Sequence, residues 1–234
     1  MHGEGFLFLD VSRLQRLFSD RQDVILRLVL LGFLLQFLLA FRLFLHPETG
    51  FRISLIPLDP EGWEIRALLV TFGMWLMWAT LRLERYSLEG IVWGWVLLST
   101  INLNAWQPYF WQFWLIIIFY LLSKKHFITL LLIGQAGFYI WSGLHKLNPF
   151  FVSDLTYLLE SKMEGGTMQS LSVGVIPILP WLEIAAGSMI LWKKTRTIGL
   201  LITAGLHVGI AVLMSPVLLD FNHIIVPWNL VLAA

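Results

Sequence analysis

Long apolar stretches dominate the chain, interrupted at intervals by charged residues, Pro or Gly. A helix that crosses ~30 Å of hydrocarbon needs ~20 mainly apolar residues. By that rule eight stretches are predicted to span a membrane: roughly 24–45, 66–82, 88–104, 108–123, 127–146, 172–192, 197–218 and 221–234. The third and fourth are short and separated only by Asn104-Ala105-Trp106-Gln107-Pro108, and the last contains Pro227. Ahead of the first, Val11, Leu14, Leu17 and Phe18 recur at helical spacing while Arg13 and Arg16 take the other face. This predicts an amphipathic helix over 6–19, lying in a headgroup layer. The polar stretch 153–170 holds room for a short helix, Asp154 to Lys162, before the Gly165-Gly166 break. With no repeat or linker, the expected fold is all-α: one polytopic membrane bundle of about eight transmembrane helices over 1–234.

Composition agrees with the pattern. Of 234 residues 58% are hydrophobic and only 13% charged, too few charges to cover a water-soluble domain of this size. Twelve Trp suit long boundaries at headgroup depth. A net charge of +1 argues against a nucleic-acid surface. The absence of Cys excludes disulfides, thiolate metal sites and CxxC redox relays. The start of the chain does not read as a cleavable signal, because Asp10 interrupts its short apolar run.

Cations alternate between loops as a correct count of spans requires. Arg13, Arg16, Arg21, Arg27, Arg82, Arg85, Lys124, Lys125, Lys193, Lys194 and Arg196 fall on one side. The other side receives only Arg42, Arg52, Arg66, Lys146 and Lys162, among more numerous acids. Both termini are therefore expected in the cytoplasm, with loops 46–65 and 147–171 outside.

Chemistry at membrane depth has to come from the few polar groups held there, since an ionisable side chain in hydrocarbon is costly unless paired. Gln135, Tyr139, Ser142 and Lys146 share one face of the fifth span at i, i+4, i+7, i+11. Glu183 lies midway along the sixth span, and Thr203 and His207 are one turn apart on the seventh. Asn222, His223 and Asn229 belong to the eighth; His145 and Asn148 flank Lys146. Gly143, Gly187 and the Gly205/Gly209 pair permit close helix contacts. An outward-opening polar cavity would satisfy all of these groups. Plainer readings stand beside it. Lys146 at a helix end can be a snorkelling anchor, Glu183 can pair with His207 or Lys146 or stay protonated, and His207 can bond Thr203 or a carbonyl as a structural residue. No HExxH spacing supports a metal site, and His145 with His223 is a poor haem pair. No inverted repeat points to a transporter.

The stretch Tyr139-Ile-Trp-Ser-Gly-Leu-His-Lys-Leu-Asn-Pro149, then Leu182-Glu183-Ile-Ala-Ala-Gly187, Lys193-Lys-Thr-Arg-Thr-Ile-Gly199 and His207, follow one another in order. Over about 105–215 this resembles the horizontally transferred transmembrane (HTTM) domain family, the membrane part of vitamin K-dependent gamma-carboxylases and their bacterial relatives. The resemblance implies a quinone or hydroquinone cofactor, an inner-membrane location, and Lys146 as the base that deprotonates the reduced quinone, with Glu183 and His207 beside it. Gln135, Tyr139, Ser142, His145, Asn148, Asn222, His223 and Asn229 are then the candidate ligand contacts. The Leu-Glu-Ile-Ala-Ala-Gly pattern in a short chain is also similar to DoxX- and MauE-type membrane proteins, which implies a redox partner or maturation factor acting on another protein.

Overall fold

The structure, a computed structural model, describes residues 11–45, 62–162, 174–215 and 223–234. Among these residues the regular elements are all helical: α1 Val11–Leu39, α2 Phe41–Leu45, α3 Trp63–Arg82, α4 Arg85–Ile101, α5 Pro108–Leu122, α6 Phe127–Lys146, α7 Pro149–Lys162, α8 Leu179–Leu191, α9 Arg196–Met214 and α10 Val226–Ala233, with short 3-10 turns between several of them. Among the described residues four segments are long and apolar enough to cross a membrane: Arg21–Leu39, Trp63–Arg82, Lys124–Lys146 and Arg196–Met214. The remaining predicted spans correspond to shorter helices. Asn102 and Pro108 bound α4 and α5, Pro177 and Pro180 delay the start of α8, and Pro227 opens α10. Trp63, Trp93, Trp141 and Trp192 are more than two-thirds exposed, at 74%, 71%, 71% and 74%, an arrangement that a bilayer favours and water does not. The chain is an all-α, multi-pass integral membrane protein.

The expected amphipathic helix and first span are continuous. With no Pro or Gly between Val11 and Leu31, the hydrogen-bond ladder runs unbroken through α1, and the only interruption is a turn at Ala40 before α2. Residues 6–10 lie outside the described residues, as do 46–61, 163–173 and 216–222.

The chain divides into two compact units, Met1–Ile128 and Thr129–Ala234. The first is organised around aromatic rings. Phe33 of α1 lies 5.1 Å from Trp95 of α4 and 5.5 Å from Phe113 of α5, and Trp95 lies 4.8 Å from Phe110. Phe37, Phe44 and Phe72 extend the cluster into α2 and α3. In a bilayer, lipid tails are as apolar as the core, so burial alone gives little drive; interlocked rings contribute through dispersion and edge-to-face geometry, ~0.5–1.5 kcal/mol per pair. Indole N–H groups pin the helices: Trp75 to the Ser87 carbonyl at 2.8 Å and Trp114 to the Val92 carbonyl at 3.0 Å. Arg27 donates to the carbonyls of Thr80 and Leu81 at 2.5 and 2.9 Å, closing the C-terminal end of α3. Asn102 and Asn104 do the same for α2, donating to Phe44 and Leu43 at 3.1 and 3.0 Å.

The second unit is organised around glycines. A Cβ on Gly143 of α6 would stand 2.5 Å from the Pro180 carbonyl oxygen of α8, and one on Gly187 of α8 would stand 2.8 Å from the Ala136 carbonyl of α6. Gly199 of α9 meets Ala186 of α8 in the same way, also at 2.8 Å. These backbone-to-backbone approaches bring α6, α8 and α9 into contact, and α10 packs on α9. The basic turn after α8 closes that helix: Thr195 and Arg196 donate to the carbonyls of Met189 and Ile190, each at 3.0 Å. Gly205 and Gly209 differ from what their spacing predicts. No atom lies within 4 Å of where either Cβ would stand, so among the described residues they join no helix contact.

Candidate functional site

Helix α8 is short and almost wholly apolar, and Glu183 is its only charged side chain. The close approach at Gly143 sets α6 against that point, and Lys146, three residues further along α6, reaches it. Its Nζ lies 2.5 Å from Glu183 Oε1, with the lysine side chain 26% exposed and the glutamate 9%. The Phe151 ring lies 5.7 Å from the same nitrogen. Two charges at this separation inside an apolar bundle interact strongly because little solvent screens them. The other carboxylate oxygen, Glu183 Oε2, is buried with no hydrogen-bond partner among the described residues.

Two turns earlier on α6, about 10 Å along the axis, Tyr139 starts a second polar chain. Its hydroxyl is hydrogen-bonded to Nε2 of His207, His207 Nδ1 lies 2.7 Å from Asn229 Oδ1, and Asn229 Nδ2 donates to the Ile225 carbonyl at 2.9 Å. The end of the chain sets its polarity. A carbonyl can only accept, so the Asn229 amide nitrogen faces Ile225 and its oxygen faces His207. His207 therefore carries its proton on Nδ1, and Nε2 accepts from Tyr139. All three side chains are buried.

Glu183 of α8 and His207 of α9 thus meet one face of α6, and Asn229 of α10 joins through His207. The remaining candidates take other positions. Gln135 and Ser142 are half-buried on α6. His145 is exposed, and its carbonyl accepts from Asn148 Nδ2 at 2.6 Å. Asn148 Oδ1 in turn accepts from the Phe151 N–H at 2.9 Å, so this side chain caps the start of α7. Asn222 and the side chain of His223 lie outside the described residues. Of the partners open to His207, Thr203 is not taken up: the Thr203 hydroxyl donates to the Leu200 carbonyl of its own helix at 2.9 Å, the usual fate of a threonine within a helix.

Sequence reasoning named Tyr139, His207 and Asn229 without pairing them. It missed a cluster in the first unit altogether: Tyr120 donates to Asp23 Oδ1 at 2.7 Å, and Lys124 pairs with the same oxygen at 2.8 Å. The available signal was Asp23 itself, an acid among the cations of its end of the chain. Among the described residues no group of three or more His, Asp or Glu is arranged to hold a metal.

Residues 124–224 match the model of the family described as methylamine utilisation protein MauE. No curated protein and no solved structure gives a match. The matched segment contains Tyr139, Lys146, Glu183 and His207, and it bears on the MauE-type resemblance, not on the carboxylase one.

Proposed function

We propose that the chain is a membrane partner protein, non-catalytic in itself, that supports the maturation or operation of another protein. The match of residues 124–224 to the MauE model carries this reading. The polar groups of that segment support it, because they are largely directed at one another: the Lys146 amine at Glu183, and both ring nitrogens of His207 at Tyr139 and Asn229. Such pairs hold helices in one arrangement. The surface for a partner's spanning helix is the exposed side of α9, where Ile198, Leu201, Val208 and Val212 surround the open Gly205 and Gly209. The Lys/Arg-rich loops face the cytoplasm in this scheme, and the surrounding medium is membrane lipid.

Two measurements test it. Expression in a methylamine-utilising bacterium that lacks its own MauE is expected to restore growth on methylamine. A photoreactive side chain at Val208 is expected to cross-link a second membrane protein, and Gly205→Leu to remove that cross-link without unfolding the chain. A failure of both sinks the partner reading.

A second reading has one specific support, the unpartnered Glu183 Oε2. A buried acceptor without a donor is costly, and a hydroxyl on a quinol or another lipid-like molecule would supply one. Lys146, Tyr139 and His207 would line that site, with Lys146 as general base after its proton has passed to Glu183 Oε1. Organic extraction of the purified protein followed by mass spectrometry decides between the two. A stoichiometric quinone favours this reading over the first, and its absence favours the first.

A further inference from the structure

The first unit contains a groove that neither its aromatic core nor the polar chains of the second unit explain. It has a volume of about 460 Å³, and all of its lining side chains are apolar. Leu34, Leu38 and Phe41 form one wall on α1 and α2, and Val70, Met74 and Met77 form the other on α3. Its depth depends on Gly73, where a Cβ would stand 3.3 Å from the Phe37 ring. The groove opens outward, since Leu38, Val70, Met74 and Met77 are 55%, 52%, 62% and 52% exposed. Both walls belong to membrane-crossing segments or their immediate continuation, so the opening faces hydrocarbon.

One end of the groove is charged. Arg42 directly follows Phe41, the groove residue on α2, and Arg66 precedes Val70 by four, one turn beyond the groove on α3, so both arginines lie at the same end of it. The helices run antiparallel in a register that two contacts define: Arg27 bonds Thr80, and Phe37 packs on Phe72 at 5.3 Å. That arrangement, with α2 packed on α3, brings Arg42 and Arg66 to the same end of the helix pair. Both are exposed, and neither has an ion pair among the described residues. They also fall on the cation-poor side of the loop pattern, where arginine has no topological reason to be.

We propose that the groove and this arginine pair form a binding site for an anionic membrane lipid, with an acyl chain lying between α1 and α3 and the phosphate held between Arg42 and Arg66. Guanidinium groups match phosphate oxygens in geometry and charge. The apolar walls supply no hydrogen bond, so the chain segment is held by shape alone and the headgroup sets the preference. A zwitterionic lipid offers the same phosphate but carries an ammonium that the two arginines repel.

The test uses the full-length chain purified in a neutral detergent and native mass spectrometry with palmitoyl-oleoyl phosphatidylglycerol or the matching phosphatidylcholine. Phosphatidylglycerol is expected to be retained about tenfold better. Arg42→Gln/Arg66→Gln is expected to bring the two lipids to parity while circular dichroism and Tm stay unchanged. Met74→Trp, a change at an exposed wall position, is expected to lower retention of phosphatidylglycerol with the arginines intact. Equal retention of both lipids by the unaltered protein would overturn the proposal and needs no variant to be read. So would a preference that survives the arginine substitutions, or one lost only on Lys125→Gln at the opposite end of the unit.

Discussion

The Lys146 ammonium and the Glu183 carboxylate meet across the contact between α6 and α8, 2.5 Å apart, and the glutamate is the more deeply buried partner. Their unequal exposure makes the two single substitutions unequal. Lys146→Met leaves a buried carboxylate without a counter-charge and is expected to cost about 3–5 kcal/mol. Glu183→Gln leaves a lysine that can extend toward the headgroups, and it is expected to cost less. Replacing both with Met is expected to recover most of the loss. Thermal unfolding in detergent of the four proteins gives the coupling, and additive losses would show that the pair contributes nothing as a pair.

The Tyr139–His207–Asn229 chain predicts one tautomer. Nitrogen-15 spectra of His207 are expected to show a protonated Nδ1 and an unprotonated Nε2. Tyr139→Phe removes the donor to Nε2 and leaves a buried acceptor unmatched, at an expected cost of about 1–3 kcal/mol. A spectrum with the proton on Nε2 would reverse the direction of the chain and require the Asn229 amide to be turned.

The glycines separate into two groups. Ala at 143, 187 or 199 would place a Cβ 2.5 to 2.8 Å from a backbone oxygen of the facing helix. Each is expected to lower Tm, at about 1–3 kcal/mol apiece. Gly205→Ala and Gly209→Ala meet no neighbour, and they are expected to leave Tm unchanged or slightly raised, since Ala is the better helix former. A large loss at 205 measured on the isolated chain would mean that α9 packs through that face after all.

Asp23 is expected to behave as an interfacial link. It is 39% exposed and Lys124 48%, so solvent and salt screen the pair. Asp23→Asn is expected to cost at most about 1 kcal/mol, and less as salt is raised. Tyr120→Phe on that background adds little if the carboxylate is what holds the hydroxyl. Chemical denaturation at two salt concentrations would reveal any larger, salt-independent loss.

Helix ends were the most legible part of the fold. The fifth predicted span coincides with α6, and Pro108 marks the first residue of α5, because charged turns and prolines act locally through the backbone. Span lengths were less legible around Pro177 and Pro180, where a 3-10 turn takes up residues expected to be part of a longer helix. At the site, periodicity correctly put Tyr139 and Lys146 on one face of α6. It could not say that they serve different neighbours, His207 on α9 and Glu183 on α8, since a helical pattern shows which face is polar and not which helix lies against it. The same limit explains Gly205 and Gly209. Small residues at i, i+4 show that a helix can be approached closely, not that one within the same chain does so.

The two glycine contacts between α6 and α8 lie at opposite ends of their crossing, Gly143 against Pro180 and Gly187 against Ala136, so the antiparallel backbones touch at two separated points. A pair of rods fixed twice can neither slide by a turn nor pivot. Docking is thereby settled by main-chain shape before any side chain takes part, and the Lys146–Glu183 link follows from the alignment without having to create it. Evolution is then free to change those two side chains for a new purpose while the frame beneath them stays put.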